Sequence, residues 1–222
     1  MQKFDTPSAI STVLNIPAGR IQLIAADRTD TTVEIRPADP AKNRDVKAAE
    51  LVEVGFSEGV LRVEIPESEH RLLGPSGSVE VTVQLPTGSG VRGKTAAVEL
   101  RGVGRLGDVT YDSSQGPVKL DEVATAQLTL ADGDISVGRL NGPAELRTQR
   151  GNLRIAEAAT GTVTLRTEQG DITVSAAHGV SASLDAGTGY GRINNSLKNS
   201  GDETGLTIHA TTSYGDITAT SL

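Results

Sequence analysis

A glycine, then a short polar residue, then a β-branched residue or leucine recurs through the second half of this chain. It stands at Gly133-Asp134-Ile135, Gly151-Asn152-Leu153, Gly170-Asp171-Ile172, Gly191-Arg192-Ile193 and Gly215-Asp216-Ile217, with Gly116-Pro117-Val118 as a looser member. Successive glycines are 17, 18, 19, 21 and 24 residues apart. A self-similar period of this length marks a stacked repeat, in which one unit cannot bury its own apolar face and the next unit covers it. The extra length of the last interval falls in 198–205, Lys-Asn-Ser-Gly-Asp-Glu-Thr-Gly, which reads as an exposed loop.

Counting back from each glycine gives columns. Five residues before stand Tyr111, Leu128, Leu146, Leu165, Ala186 and Ala210; seven before stand Val109, Ala126, Ala144, Val163, Leu184 and Ile208. Four before stand Asp112, Thr129, Arg147, Arg166, Gly187 and Thr211. Strand side chains alternate with period two, so the apolar columns share an inward face and the polar column points out. Three before the glycine, Ser113, Leu130, Thr148, Thr167, Thr188 and Thr212 point inward near a corner, where a hydroxyl can bond neighbouring backbone. Homologous strands recur once per period and the corners vary in length. This favours parallel stacking over a hairpin meander, which needs regular two-residue reversals. The fold expected is all-β: a single-stranded parallel β-helix or β-solenoid with coils of about 18–24 residues.

The first part of the chain is less regular. Gly19 to Leu23 resembles the repeat, Thr32 to Ile35 and Ser78 to Leu85 alternate, and Leu51–Val54 and Val60–Ile65 read as a strand pair joined through Ser57-Glu58-Gly59. Residues 37–50 have room for a short helix, and 66–78 read as a loop. The expectation is a β-rich part, residues 1–90, continuous with and capping a repetitive solenoid, residues 91–222. Composition agrees. Aromatics are 2% of the chain and glycines number 25, which suits narrow coils and frequent turns.

The Gly-Asp-Ile-x-Val pattern at Gly133–Val137 and Gly170–Val174, with an opening strand Ile21-Gln22-Leu23 followed by Val33-Glu34-Ile35, resembles the bacterial β-strand-repeat proteins called "putative adhesins", a domain family of unknown function. The likeness covers nearly the whole chain. It implies a β-helix-like fold and supplies no catalytic residue.

Several groupings invite a chemical reading. Asp108, Asp134, Asp171 and Asp216 suggest a carboxylate ladder for calcium. The equivalent positions Pro117, Asn152 and Arg192 break it, and aspartate after glycine is a turn former. Arg147 and Arg166 lie in matching Leu-Arg-Thr triplets, so they are expected about 5 Å apart on the outer face, with Glu145 and Glu168 beside them. This is the candidate surface patch. Tyr190 and Tyr214 share the column one before the glycine and form a candidate aromatic corner. The three histidines, His70, His178 and His209, fall on different segments and define no triad. The run 187–191, Gly-Thr-Gly-Tyr-Gly, is read as a turn, because no helix follows to make a phosphate cradle.

No catalytic constellation or cofactor motif emerges, and without cysteine there is no disulfide or thiolate metal site. The formal charge of −7 argues against nucleic acid, and no apolar run is long enough to cross a membrane. The start of the chain lacks the pattern of a signal peptide, so a cytoplasmic location is expected, with an exported chain trimmed of its signal as the alternative. The expected role is a non-enzymatic binding or scaffold protein of unknown ligand, with an unidentified protein partner. Two alternatives stand beside it: a solenoid that self-associates through its open C-terminal strand, and a lyase-like carbohydrate-active β-helix.

Overall fold

The computed structural model describes residues 1–66, 77–199 and 205–222. In chain order the elements are β1 (Gln2–Asp5), β2 (Ser11–Asn15), β3 (Ala18–Ala26), β4 (Asp30–Pro37), α1 (Asn43–Glu50), β5 (Glu53–Ser57), β6 (Val60–Glu64), β7 (Val79–Pro86), β8 (Gly90–Gln115), β9 (Val118–Asp132), β10 (Ile135–Leu140), β11 (Ala144–Arg150), β12 (Leu153–Ala158), β13 (Gly161–Gln169), β14 (Ile172–Ala176), β15 (Ala182–Tyr190), β16 (Ile193–Ser196), β17 (Leu206–Tyr214) and β18 (Ile217–Ser221). The fold is all-β and solenoid-like, with α1 its one helix among the described residues. Most of the two central loop expectations, 66–78 and 198–205, lies outside those residues.

Each repeat contributes one strand to each of two layers, and the core lies between them. In the first layer β9, β10, β12 and β14 follow one another in parallel, so that Val118, Ile135, Leu153 and Ile172 share a buried row. In the second layer the later half of β9, then β11 and β13, align Leu128, Leu146 and Leu165. The columns read from the sequence are therefore real rows of the core. Long β8 bends through both layers, and its 90–95 stretch lies beside 108–113. Tyr111 is buried there against Gly93, where a Cβ would stand 2.5 Å from the ring. Its hydroxyl meets Thr95 Oγ1 at 2.7 Å, and burial raises its pKa above the ordinary tyrosine value.

The glycine column makes the corner. Gly170 has φ +150°, and a Cβ there would lie 2.0 Å from the carbonyl oxygen of Gly151 in the adjoining coil. Close backbone approach, besides the turn itself, demands glycine. The threonine column completes the corner. Thr148, Thr167, Thr212 and Thr188 donate their hydroxyls to the carbonyls of Gly133, Gly151, Gly170 and Gly215, at 3.0–3.2 Å.

Stacking order departs from chain order at both ends. The last coil, β17 and β18, does not close the stack. β17 lies between β13 and β15, and β18 lies between β14 and β16. The expectation of an open C-terminal strand is thus wrong: both edges of β18 are occupied, and among the described residues the open edge belongs to β15 and β16. The same inversion occurs at the start, where β2 and β3 lie between β6–β7 and β8. Beyond β7 come antiparallel β4 and then β1, and beyond β6 comes antiparallel β5. The expected β5–β6 strand pair forms, but Ser57 belongs to β5, so the turn is the two residues Glu58 and Gly59, both at positive φ, rather than the three expected. Helix α1 falls inside the expected 37–50 window. Its Asp45 is buried and accepts the Ser78 amide at 3.0 Å, which ties the helix to the start of β7. The 187–191 run is not a turn: its first four residues end β15.

Candidate functional site

The outer face of the second layer carries the polar column. Arg147 and Arg166 are direct partners on β11 and β13, as the triplets required. Glu145, two residues before Arg147 on the same strand, pairs with the Arg147 guanidinium. Arg166 and Glu168 make no ion pair among the described residues. Thr129, Arg147, Thr148, Arg166 and Glu168 help line a shallow groove of about 240 Å³ on this face. The structure therefore brings the four patch residues to one surface, with one cation neutralised and the other facing water.

The corner row following the glycines behaves differently. Side-chain oxygens of Asp134, Asn152, Asp171 and Asp216 each accept the backbone amide of the next residue in the stack: Asn152 at 2.7 Å, then Asp171, Asp216 and Arg192 at 2.8 Å. Rather than only forming its own turn, each of these side chains bonds across to the neighbouring coil. The Arg192 amide, with its side chain at 3.3 Å, also holds the Asp216 carboxyl below its ordinary pKa. Asp108 does not belong to this row. It lies eight residues before the corner glycine Gly116, opposite Thr125, whose hydroxyl donates to it at 2.7 Å. Among the described residues, no three acidic or histidine side chains gather as a metal site.

Tyr190 and Tyr214 are partners in β15 and β17 and stack with ring centroids 5.1 Å apart and planes 3° off parallel. They are 72% and 55% exposed. The row continues through Gln169, Arg150 and Asp132, the last two joined by a 3.0 Å ion pair. His209 stands beside Asp185, with Nδ1 3.4 Å from the carboxylate. Sequence reasoning missed this pair although both residues stand six before their corner glycines, Gly191 and Gly215, in the same two coils as the tyrosine stack. His178 lies in the segment between β14 and β15, and His70 lies outside the described residues.

Chemically, these groups are side-chain acceptors already holding amides, and an outer face of hydroxyl, guanidinium and carboxylate groups on which Arg147 is paired and, among the described residues, Arg166 is not. The family model for Toastrack DUF4097 matches residues 12–221, and the chain belongs to that family. No curated protein matches. Among solved structures, a "putative adhesin" from Bacteroides fragilis NCTC 9343 is similar at 15% identity and TM-score 0.50, covering 98% of this chain and 95% of its own. A "putative cell adhesion protein" from Clostridium sporogenes ATCC 15579 is 10% identical at TM-score 0.40, covering 100% and 98%. A "Putative lipid binding protein" from Parabacteroides distasonis ATCC 8503 is 11% identical at TM-score 0.43, covering 97% and 95%.

Proposed function

We propose that this chain is a non-enzymatic scaffold: a single-stranded β-helix whose residues 1–90 cap a regular solenoid, 91–222, that binds a partner on its outer face. The observation that carries the reading is the fate of the polar rows. The threonine hydroxyls and the Asx side chains, the groups best suited to chemistry, are spent on joining coil to coil. What remains outward is the flat patch of Glu145, Arg147, Arg166 and Glu168, with Arg166 unneutralised among the described residues. The carboxylates whose pKa moves, Asp30, Asp39 and Asp216, move downward, the opposite of a general acid. The description of the Bacteroides neighbour as an adhesin is in keeping with a binding role.

A photo-crosslinking side chain at position 166, used in native lysate, is expected to capture a defined partner, and Arg147→Glu is expected to reduce the capture. Turnover of neutral or acidic oligosaccharides by the purified chain would overturn the reading in favour of a lyase-like enzyme. Self-association through an end is the second reading, favoured by the open edge of β15 and β16.

A further inference from the structure

The two ends of the stack are built differently, and we infer that the β15–β16 end joins a second copy of this chain, edge to edge, about a two-fold axis. The inference builds on the scaffold reading but names a different surface and partner.

Among the described residues β15 pairs only with β17 and β16 only with β18. From Leu184 onward the far edge of β15, with that of β16, therefore presents backbone N–H and C=O groups that another strand can satisfy; at the start of β15 the Ala182 amide already donates to the Lys198 carbonyl at 3.3 Å. The opposite end is protected. Its edge strands are short: β1 has four residues and carries Lys3 and Asp5, and β5 has five and carries Glu53. Phe4 and Phe56 meet across that end with centroids 5.5 Å apart. Short, charged edges discourage pairing. β15 has neither device, being nine residues long with Asp185 as its one charge and no lysine or proline.

Apolar side chains also lie open at this end. Leu184 and Ala186 occupy core columns yet are only partly buried, and Ile193 is 44% exposed. Tyr190 stacks one ring face on Tyr214 and turns the other to the end of the row. Large rings exposed at an edge are typical anchors of an interface.

The geometry selects the partner. The capped end does not complement the open one, so head-to-tail stacking into filaments is disfavoured. Two identical open edges do complement each other, and a two-fold contact closes at two copies. Ala182, Leu184, Ala186 and Thr188 point into the stack, so an antiparallel β15–β15 pairing must match even positions with even ones to keep the core continuous. Centred on Ala186, it places Leu184 opposite Thr188 of the second copy. Asp185 falls opposite Gly187 rather than another carboxylate.

Gly187 makes the register testable. A Cβ there meets nothing within 4 Å, and its φ needs no glycine, so substitutions fold. Analytical ultracentrifugation of the full chain over a wide concentration range is expected to show a monomer–dimer equilibrium. Gly187→Glu, facing Asp185 twice across the axis, is expected to weaken the dimer about tenfold. Gly187→Lys is expected to strengthen it by a similar factor, with circular dichroism unchanged in both. A strict monomer, open-ended oligomers, or a dimer that fails to respond in opposite directions would overturn the inference. A monomer that still captures a partner at position 166 would leave the scaffold reading intact, whereas a responsive dimer that captures nothing would leave the dimer intact.

Discussion

The hydroxyl of Thr167 donates to the carbonyl oxygen of Gly151, 3.0 Å away in the adjoining coil. This bond links the two columns that define the repeat, and Thr167 is buried while making it. Thr167→Val keeps the shape and removes the donor. The cost is expected near 1 kcal/mol, a net buried hydrogen bond, read as a lower urea midpoint at unchanged slope. The change is survivable because Leu130 already fills the same column without a hydroxyl.

Gly170→Ala is expected to cost about 3 kcal/mol or more, since the new methyl collides with backbone that has no room to retreat. Gly55→Ala is the control. It is exposed, its added Cβ meets nothing within 4 Å, and its φ is ordinary, so its effect stays within about 0.5 kcal/mol. Thermal or urea unfolding of the two variants side by side checks the contrast.

Acid should loosen the β1–β4 edge first. Hydrogen bonds from Arg28, then Lys3, hold the Asp30 carboxyl at about 2 rather than 3.8. A folded-state pKa below the unfolded one stabilises at pH values above 3.8, and that stability drains away as the pH falls from 3.8 through about 2. NMR of the Thr31–Val33 amides should show β1 fraying across that window. In Asp30→Asn the window should vanish; fraying that persists unchanged would count against the ion pairs as its cause.

The corner row makes a sharp statement about calcium. Each Asx side chain in it already accepts an amide, so added calcium is expected to leave the melting temperature where it is. Asp171→Asn keeps the acceptor, as Asn152 does naturally in the next place, and should be close to neutral. Asp171→Ala strands the Asp216 amide and should cost about 1 kcal/mol. A calcium-dependent rise in melting temperature, lost in Asp171→Asn, would contradict the structural role.

The columns were legible because period two and a glycine corner leave their mark on every coil, from Leu128, Leu146 and Leu165 inside to Arg147 and Arg166 outside. Asp108 resembles the corner aspartates only in following a glycine, Gly107; it lies eight residues before the corner glycine Gly116, beside Val109 of the inward column, and so sits mid-coil. The order of coils was not legible. All coils carry the same columns, so β13 accepts β17 or β15 equally well by pattern alone. One signal was present. Asn195 stands in the row of Val137, Ile155, Val174 and Ala219, and a polar residue in a core column marks an end coil. The pairing of Arg147 with Arg166 was legible because it depends only on neighbouring coils in sequence. The His209–Asp185 pair was within reach, since both residues stand six before their corner glycines in coils that adjoin in either order, whereas the open edge of β15 depends on the inversion.

That inversion is the central claim, and the absence of native cysteine makes it directly measurable. Thr173 is the strand partner of Thr218, and Thr218 is in turn the partner of Asn194. Adjacent strands lie about 4.8 Å apart, within disulfide reach, and strands once removed lie about 10 Å apart, beyond it. Under mild oxidation Thr173→Cys with Thr218→Cys should cross-link readily within one chain, while Thr173→Cys with Asn194→Cys should not. If the second pair cross-links and the first does not, the coils stack in chain order and the account of both ends is wrong.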